Sequence, residues 1–242
     1  MNIGKSFKTE EILGIGLFTL SIVSLLIMLK VGLNQSIWED EAYTLNLISK
    51  SFIDMVFTIA GHDVHPPLYY LILKSVFQFF SLFLPLKTFN AVFTFNSNYL
   101  LNVIVAKLTS TIPLFLLFIF SFTRLRKDFG WLISGIFAFC IITMPNIMNY
   151  GLEIRMYSWA MLFVTLSFYY SYKITIESSK TNWGMFIIFS LMGAYTHYYG
   201  TLAIAIINLI LLLNIFLKNR EKIKNWAIST TIITLGYIPW IL

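Results

Sequence analysis

A chain of 242 residues that is 58% hydrophobic and 12% charged, with 23 Phe, cannot hide its apolar surface in one soluble core, so a bilayer must take most of it. The formal net charge of +6 does not point to nucleic acid, because the basic residues stand in short clusters between apolar runs, as they do in inward-facing loops. The single cysteine, Cys140, excludes an intramolecular disulfide framework.

Residues 11–33 form the first expected crossing, because about 20 residues at about 1.5 Å each cover the roughly 30 Å hydrocarbon core. Lys5 and Lys8 before it place its start in the cytoplasm. The run is too long for a cleaved leader and has no small-x-small site at its end, so it reads as a retained anchor. A polar island follows, Trp38-Glu39-Asp40-Glu41-Ala42-Tyr43, with a companion at His62-Asp63-Val64-His65-Pro66-Pro67. Together they hold six of the chain's fourteen Asp, Glu and His residues. Carboxylates beside a membrane-length apolar run gain nothing from lipid, which makes the island a candidate site; a solvated loop is the plain alternative.

From residue 41 to 60 apolar residues recur at helical spacing, interrupted by Asn46, Lys50 and Asp54, so short helices lying in the membrane interface are expected. Residues 68–84 are nearly long enough to cross. Lys74, Gln78 and Ser81 would form one polar stripe, which favours an amphipathic helix at the surface. If this segment does not cross, eleven Lys and Arg, including Arg124, Arg126, Lys127, Lys173, Lys180 and the 218–224 cluster, lie inside against six outside, as the positive-inside rule prefers. Further crossings are expected at 102–122, 131–148, 157–176, 183–198, 201–217 and 226–242, with Trp131, Trp183 and Trp226 at interface depth. The expected fold is all-α: a polytopic membrane helical bundle of about seven transmembrane helices, with interfacial helices in the first external loop. No repeat or linker divides residues 1–242, which read as one module. The last run ends without a polar flank, and a missing C-terminal portion is expected.

On this topology the outward turns collect Asp40 and Glu41, then His62, Asp63 and His65, then Glu153, Arg155 and Tyr157, then His197, Tyr198 and Tyr199. A helical bundle can gather such turns around one cavity. The segments Trp38-Glu39-Asp40-Glu41-Ala42-Tyr43, His65-Pro66-Pro67-Leu68-Tyr69-Tyr70, Glu153-Ile154-Arg155-Met156-Tyr157-Ser158 and Thr196-His197-Tyr198-Tyr199-Gly200, in that order, resemble the polyprenyl-phosphate-sugar-dependent glycosyltransferases of the GT-C class. The nearer likeness is to the protein O-mannosyltransferase and lipid A aminoarabinose transferase group, glycosyltransferase family 39-like, and it runs from about residue 38 to 200. Each motif alone is weak; four in register are strong.

The resemblance implies an integral membrane glycosyltransferase that moves a sugar from a polyprenyl-phosphate carrier to an acceptor (a glycan, lipid or protein) at the external face of the cell membrane. In that class an acid of an Asp-Glu pair after the first span acts as catalytic base, which maps to Asp40 with Glu41 following. Inverting transfer needs a base for the acceptor hydroxyl and a cation for the leaving phosphate. Arg155 has the geometry for the second task, and Lys107, on the second span, is another basic residue the resemblance points to. An ion pair of Arg155 with Glu153, and snorkelling by Lys107, are the alternatives. His62, Asp63 and His65 have the ligand types for a divalent metal, although His65-Pro66-Pro67 equally suits the start of a helix. His197 and Tyr198 suit a sugar hydroxyl or an ordinary interface position, and Tyr157 a sugar face or an aromatic belt. The sequence requires no cofactor, and there is no Gly-rich phosphate loop for a nucleotide. A lipid-linked sugar transporter or flippase, or a non-catalytic membrane assembly subunit, is the rival reading. Either would leave the acid, base and cation at one membrane face unexplained.

Overall fold

The structure is a computed structural model and describes residues 3–63, 65–84 and 97–241. These residues are all-helical, with no strand among them. Three stretches are long and apolar enough to cross a membrane, Lys8–Gly32, Tyr99–Thr143 and Tyr198–Lys218. The chain divides into two compact units, one of Met1–Ala42 with Thr94–Arg155, the other of Tyr43–Phe93 with Met156–Leu242.

In the first unit, α1 (Ile3–Gly32) carries outward-facing Ile12, Leu13, Leu20, Leu26 and Ile27, each at least half exposed, an apolar surface suited to lipid rather than water. α5 (Ser97–Phe120) continues through a π-helical turn at Ser121–Leu125 into α6 (Arg126–Thr143). The run Tyr99–Thr143 is nevertheless not one rod. Ser121 Oγ donates to the Ser134 carbonyl at 2.8 Å and Ser134 Oγ to the Ser121 carbonyl at 2.8 Å, whereas thirteen residues of straight helix would separate them by about 20 Å. The chain reverses at Gly130, whose φ of 81° is open to glycine and strained for other residues. The basic cluster at 124–127 is therefore helical, with the reversal at Gly130 between the crossings expected at 102–122 and 131–148, and the Arg126 guanidinium lies over the Phe122 and Trp131 rings, 4.5 and 5.0 Å from their centroids. Gly14 meets the backbone of Trp131 and Leu132, and Gly135 meets the carbonyl of Gly14, so α1 and α6 touch backbone to backbone. The N-terminal half of α1 and the hairpin tip thus share one end of this unit. The C-terminus of α1 packs at the other end, where Leu152 lies against Gly32.

In the second unit, α8 (Tyr157–Ile176), α9 (Lys180–Ala194), α10 (Tyr198–Lys218) and α11 (Ile223–Ile241) form an antiparallel bundle. Its core holds Ile174, Trp183, Phe186, Ile204, Leu211 and Ile233. Polar ties cross it: Ser167 and Ser190 hydroxyls meet at 2.9 Å, and Thr230 donates to Asn208 Oδ1 at 3.0 Å. Lys222 Nζ donates to the carbonyls of Ile174 and Thr175 at 2.9 and 3.0 Å, which neutralises the C-terminus of α8 and fixes the basic end of the bundle. At the opposite end Tyr195 donates its hydroxyl to the Gly236 carbonyl at 2.7 Å.

Of the expected crossings, those at 157–176, 183–198 and 226–242 are found as helices, but they do not combine length with apolarity as α1 and α10 do. α9 has 15 residues, about 22 Å of helix, and α8 and α11 carry Ser, Thr and Tyr along their length. The short helices expected in the first external loop are present as α2 (Glu39–Ser49), α3 (Phe52–His62) and α4 (Leu68–Ser81). With 14 residues α4 reaches about 21 Å, too short to cross the roughly 30 Å core. α3 buries Met55 and Ile59 and exposes Phe52, Ile53 and Phe57, an apolar outer face that fits an interfacial position. Asp54 is accounted for locally, since its backbone N–H is capped by Ser51 and its carboxylate accepts from the Ser51 hydroxyl at 2.7 Å. The expected polar stripe on α4 is incomplete. Gln78 and Ser81 are exposed, but Lys74 turns inward and donates to the carbonyls of Ile48 and Lys50 at 2.8 and 2.6 Å, capping the end of α2. Val64, residues 85–96 and Leu242 lie outside the described residues, and with them part of the His62–Pro67 motif, of the external loop and of the chain's final expected crossing.

Candidate functional site

Three acids in the first turn of α2 face the positive end of the helix dipole, which explains locally how Glu39, Asp40 and Glu41 are tolerated together. Their fates then diverge. Glu41 is 2% exposed, and both its oxygens accept from backbone: Oε2 from Trp38 N–H at 3.1 Å, Oε1 from Ile154 N–H at 2.8 Å. The first bond is the reach-back of a capping box, a carboxylate at the third helical position bonding the N-cap amide. The second ties the start of α2 to the turn that carries Glu153 and Arg155. Glu41 is thus a buried strut, each of its oxygens held by a backbone amide, which sets it apart from its exposed neighbour Asp40. The Asp40 side chain is 46% exposed, and its Oδ2 lies 3.8 Å from Nη2 of Arg155, whose side chain is 5% exposed. An open carboxylate beside a buried guanidinium is the result.

Arg155 takes this ion pair with Asp40, while Oε2 of Glu153 is buried without a hydrogen-bond partner. Burial first, and the neighbouring charges of Glu41 and Asp40 against the opposing pull of Arg155, push the Glu153 carboxyl up to about 7. A carboxyl whose folded value lies above its ordinary one binds more protons folded than unfolded, so its contribution to stability is present at low pH and is lost as pH rises towards and through about 7. Thermal stability is accordingly expected to fall between about pH 5 and about pH 8, and Glu153→Gln to flatten that slope. Melting curves of both proteins in detergent at a series of pH values check this, and parallel curves would remove Glu153 as the titrating group.

Lys107 does not snorkel. It is 2% exposed, and its Nζ donates to the carbonyls of Gly32 at 2.8 Å and Gln35 at 2.7 Å, closing the C-terminus of α1. Lys107→Met is expected to destabilise the protein by about 1–3 kcal/mol, the cost of leaving a buried acceptor unpaired. Thermal unfolding in detergent reads this directly, and an unchanged melt would rule the cap out as a stabilising contact. Beside Lys107, Glu41 and Glu153 lies a cavity of about 270 Å³ whose wall also includes Gln35, Ser36, Trp38 and Asn149. Sequence reasoning passed over Gln35, Ser36 and Asn149, and met Trp38 only as the first residue of the 38–43 segment. The one signal for Asn149 was its place just before the Glu153–Arg155 segment.

No known protein family, curated protein or solved structure matches this chain.

A second cluster lies within the other unit. Asp63 accepts from the His65 backbone N–H at 2.9 Å, meets His65 Nδ1 at 3.0 Å, and accepts from the Tyr70 hydroxyl at 2.8 Å. Burial pushes its carboxyl up, but these hydrogen bonds outweigh it and hold Asp63 below its ordinary value. An ionised Asp63 fixes the proton of His65 on Nδ1. The His65 ring meets His197 edge-on with centroids 5.0 Å apart, and His197 lies 5.8 Å from the Tyr157 ring and stacks on Tyr199 at 5.2 Å. His197 is also the N-cap of α10, its Nδ1 accepting from the Tyr199 N–H at 3.0 Å, which puts its own ring proton on Nε2. Tyr198 begins the helix and is half exposed. His62, the last residue of α3, lines an exposed groove with Lys50, Asp54 and Thr58. Among the described residues no three His, Cys, Asp or Glu side chains come together as a metal-binding group. Of the expected site residues, then, Asp40, Glu41, Lys107, Glu153 and Arg155 converge in the first unit, and Asp63, His65, Tyr157 and His197 in the second. Tyr70, which the sequence offered only within the 65–70 segment, holds Asp63 through its hydroxyl.

Proposed function

We propose that the protein is an integral membrane glycosyltransferase of the GT-C type, moving one sugar from a polyprenyl-phosphate carrier to an acceptor at the external face of the cell membrane. The observation that carries this reading is the open Asp40 carboxylate 3.8 Å from the buried Arg155 guanidinium. The acceptor oxygen attacks the anomeric carbon while Asp40 takes its proton. The bond from that carbon to the phosphate oxygen breaks, and the carrier phosphate leaves with the electron pair, its growing charge met by Arg155. A guanidinium suits that task because its planar donors match two phosphate oxygens at once. The driving force lies in the donor's phosphodiester, so no nucleotide enters.

The seven-crossing topology with a cytoplasmic N-terminus belongs to the same proposal. It is supported within each unit separately. The hairpin tip with Arg124, Arg126 and Lys127 packs at the end where α1 begins, with Lys8, while the acids of α2 follow its other end. In the bundle of α8 to α11, Lys222 meets the end of α8, opposite the end that holds Tyr157, Tyr195 and His197. The basic clusters thus gather at one end of each unit, although Glu10, Glu11, Asp128, Glu177 and Glu221 lie there as well, and it is this placing of Lys and Arg to which the positive-inside rule speaks.

Deleting the protein and comparing lipid extracts by mass spectrometry tests the proposal. A polyprenyl-phosphate-linked sugar should accumulate, and its mass names the donor. Unchanged lipid-linked sugars, in cells that otherwise make the glycosylated product, would sink the transferase reading.

A further inference from the structure

The cavity of the first unit differs in chemistry from the Asp40–Arg155 pair beside it. Its wall includes Glu41, Glu153 and Lys107, with amide and hydroxyl groups from Gln35, Asn149 and Ser36 and the indole of Trp38. Each Glu41 oxygen is held by a backbone amide, and Lys107 gives two of its three N–H donors to the carbonyls of Gly32 and Gln35. The wall thus combines Lys107, with one N–H beyond those two bonds, the side-chain amides of Gln35 and Asn149, the Ser36 hydroxyl, and Glu153, whose buried Oε2 makes no hydrogen bond. That is a mixed set of donors and acceptors beside an aromatic ring, and it matches a polyhydroxylated ring with an apolar face. A volume of about 270 Å³ sits just below the usual small-molecule range of about 300–1,000 Å³, enough for one sugar ring.

Charge narrows the class. Two carboxyl groups stand against one ammonium that is already engaged, so a ligand carboxylate or phosphate would be taken from water into a site with no cation to spare. The guanidinium that could meet an anion, Arg155, stands outside the wall. Glu153, by contrast, can accept a hydrogen bond from a sugar hydroxyl when ionised, or donate one when protonated. We infer that this cavity is the subsite for a single uncharged monosaccharide ring and that Glu153 and Asn149 set its specificity against acidic sugars. The inference rests on the transferase reading and adds to it the chemical class of the sugar. The ring comes either from the lipid-linked donor or from a sugar acceptor.

The test uses the full chain in lipid nanodiscs and the fluorescence of Trp38 in the cavity wall, with Trp38→Phe as the blank. The probes are free mannose, galactose, glucose and N-acetylglucosamine, against glucuronate and glucose 6-phosphate. At least one neutral sugar should give a saturable signal absent from the Trp38→Phe protein, with an affinity in the millimolar range, about 1–50 mM. Asn149→Ala and Glu153→Ala should each weaken it about tenfold, and Glu153→Gln, which keeps the hydrogen-bonding shape, should restore most of it. No saturable signal from any neutral sugar, or tighter binding of an acidic one, overturns the inference. So does an acidic sugar on the lipid that accumulates when the protein is deleted, an outcome that would leave the transferase reading standing. Neutral-sugar binding without any accumulating lipid would do the reverse. Once the donor is known, a raised donor KM in Asn149→Ala assigns the ring to the donor, and a raised acceptor KM to the acceptor.

Discussion

Asp40→Asn is expected to lower sugar transfer by about 10²–10⁴-fold, with membrane insertion and donor binding retained. Asn keeps the outline of Asp and its capacity to hydrogen-bond, but its amide oxygen is too weakly basic to take a proton from an attacking hydroxyl. The side chain is 46% exposed at the first turn of α2, so the substitution buries no new polar group, although the buried Arg155 loses its counter-charge, which the parallel melting measurement reads. Glu41→Gln should behave differently although the chemical change is the same. One of its oxygens becomes an amide NH₂ facing a backbone N–H, either that of Trp38 or that of Ile154, so the damage appears as lost stability of the α2 start rather than as a silent, folded enzyme. Turnover of the identified donor in vesicles, with melting measured in parallel, separates the two. Near-normal turnover by the Asp40→Asn protein would end the assignment of Asp40 as base. A folded but inactive Glu41→Gln protein would show that the strut is part of the chemistry.

How the two acids differ was not legible in the sequence. Hydropathy runs located both ends of α10 and the C-terminal end of α1 to within a few residues, because apolar length has one physical meaning, whereas the polar start of α1 from Ile3 lies before the apolar run that begins at residue 11. The partner of Glu41, however, is a backbone amide 113 positions along the chain, and a backbone group leaves no trace in residue type. The lysines show the same limit. Lys107 was read as a phosphate ligand or a snorkelling side chain, Lys74 as part of a polar stripe and Lys222 as a cytoplasmic marker, yet each closes the C-terminal carbonyls of a helix that precedes it in the chain: α1, α2 and α8. Helix carbonyls that end near lipid have few water partners, and a long ammonium side chain from a neighbouring helix supplies them. A basic residue in an apolar segment therefore has two opposite readings, a solvent anchor or an internal cap, and composition does not choose between them. The reversal falls in the interval left between the crossings expected at 102–122 and 131–148, at Gly130 rather than at the basic cluster 124–127. Arg126 is accommodated on a helix by the Phe122 and Trp131 rings, which left the reversal to Gly130, the residue able to take a positive φ.

Arg155→Lys is expected to cost about 10- to 100-fold in donor affinity while the protein still folds, corresponding to the roughly 1.5–3 kcal/mol of a hydrogen bond to a charged group. Charge is conserved, yet a point-like ammonium cannot make the two parallel, planar contacts that a guanidinium makes to phosphate oxygens. The position is 5% exposed and its Nη2 stands 3.8 Å from Asp40, so a shorter reach would also loosen the base from its counter-charge. Two readouts separate these effects. Loss of the phosphate contact raises the donor KM, whereas a base released from its neighbouring cation changes the pH profile of kcat. Carrier lipid bound as tightly by Arg155→Lys as by wild type would remove Arg155 from the phosphate site. Lys107 could not simply inherit the role, because two of its three donors already hold the carbonyls of Gly32 and Gln35, and pulling it away would uncap α1.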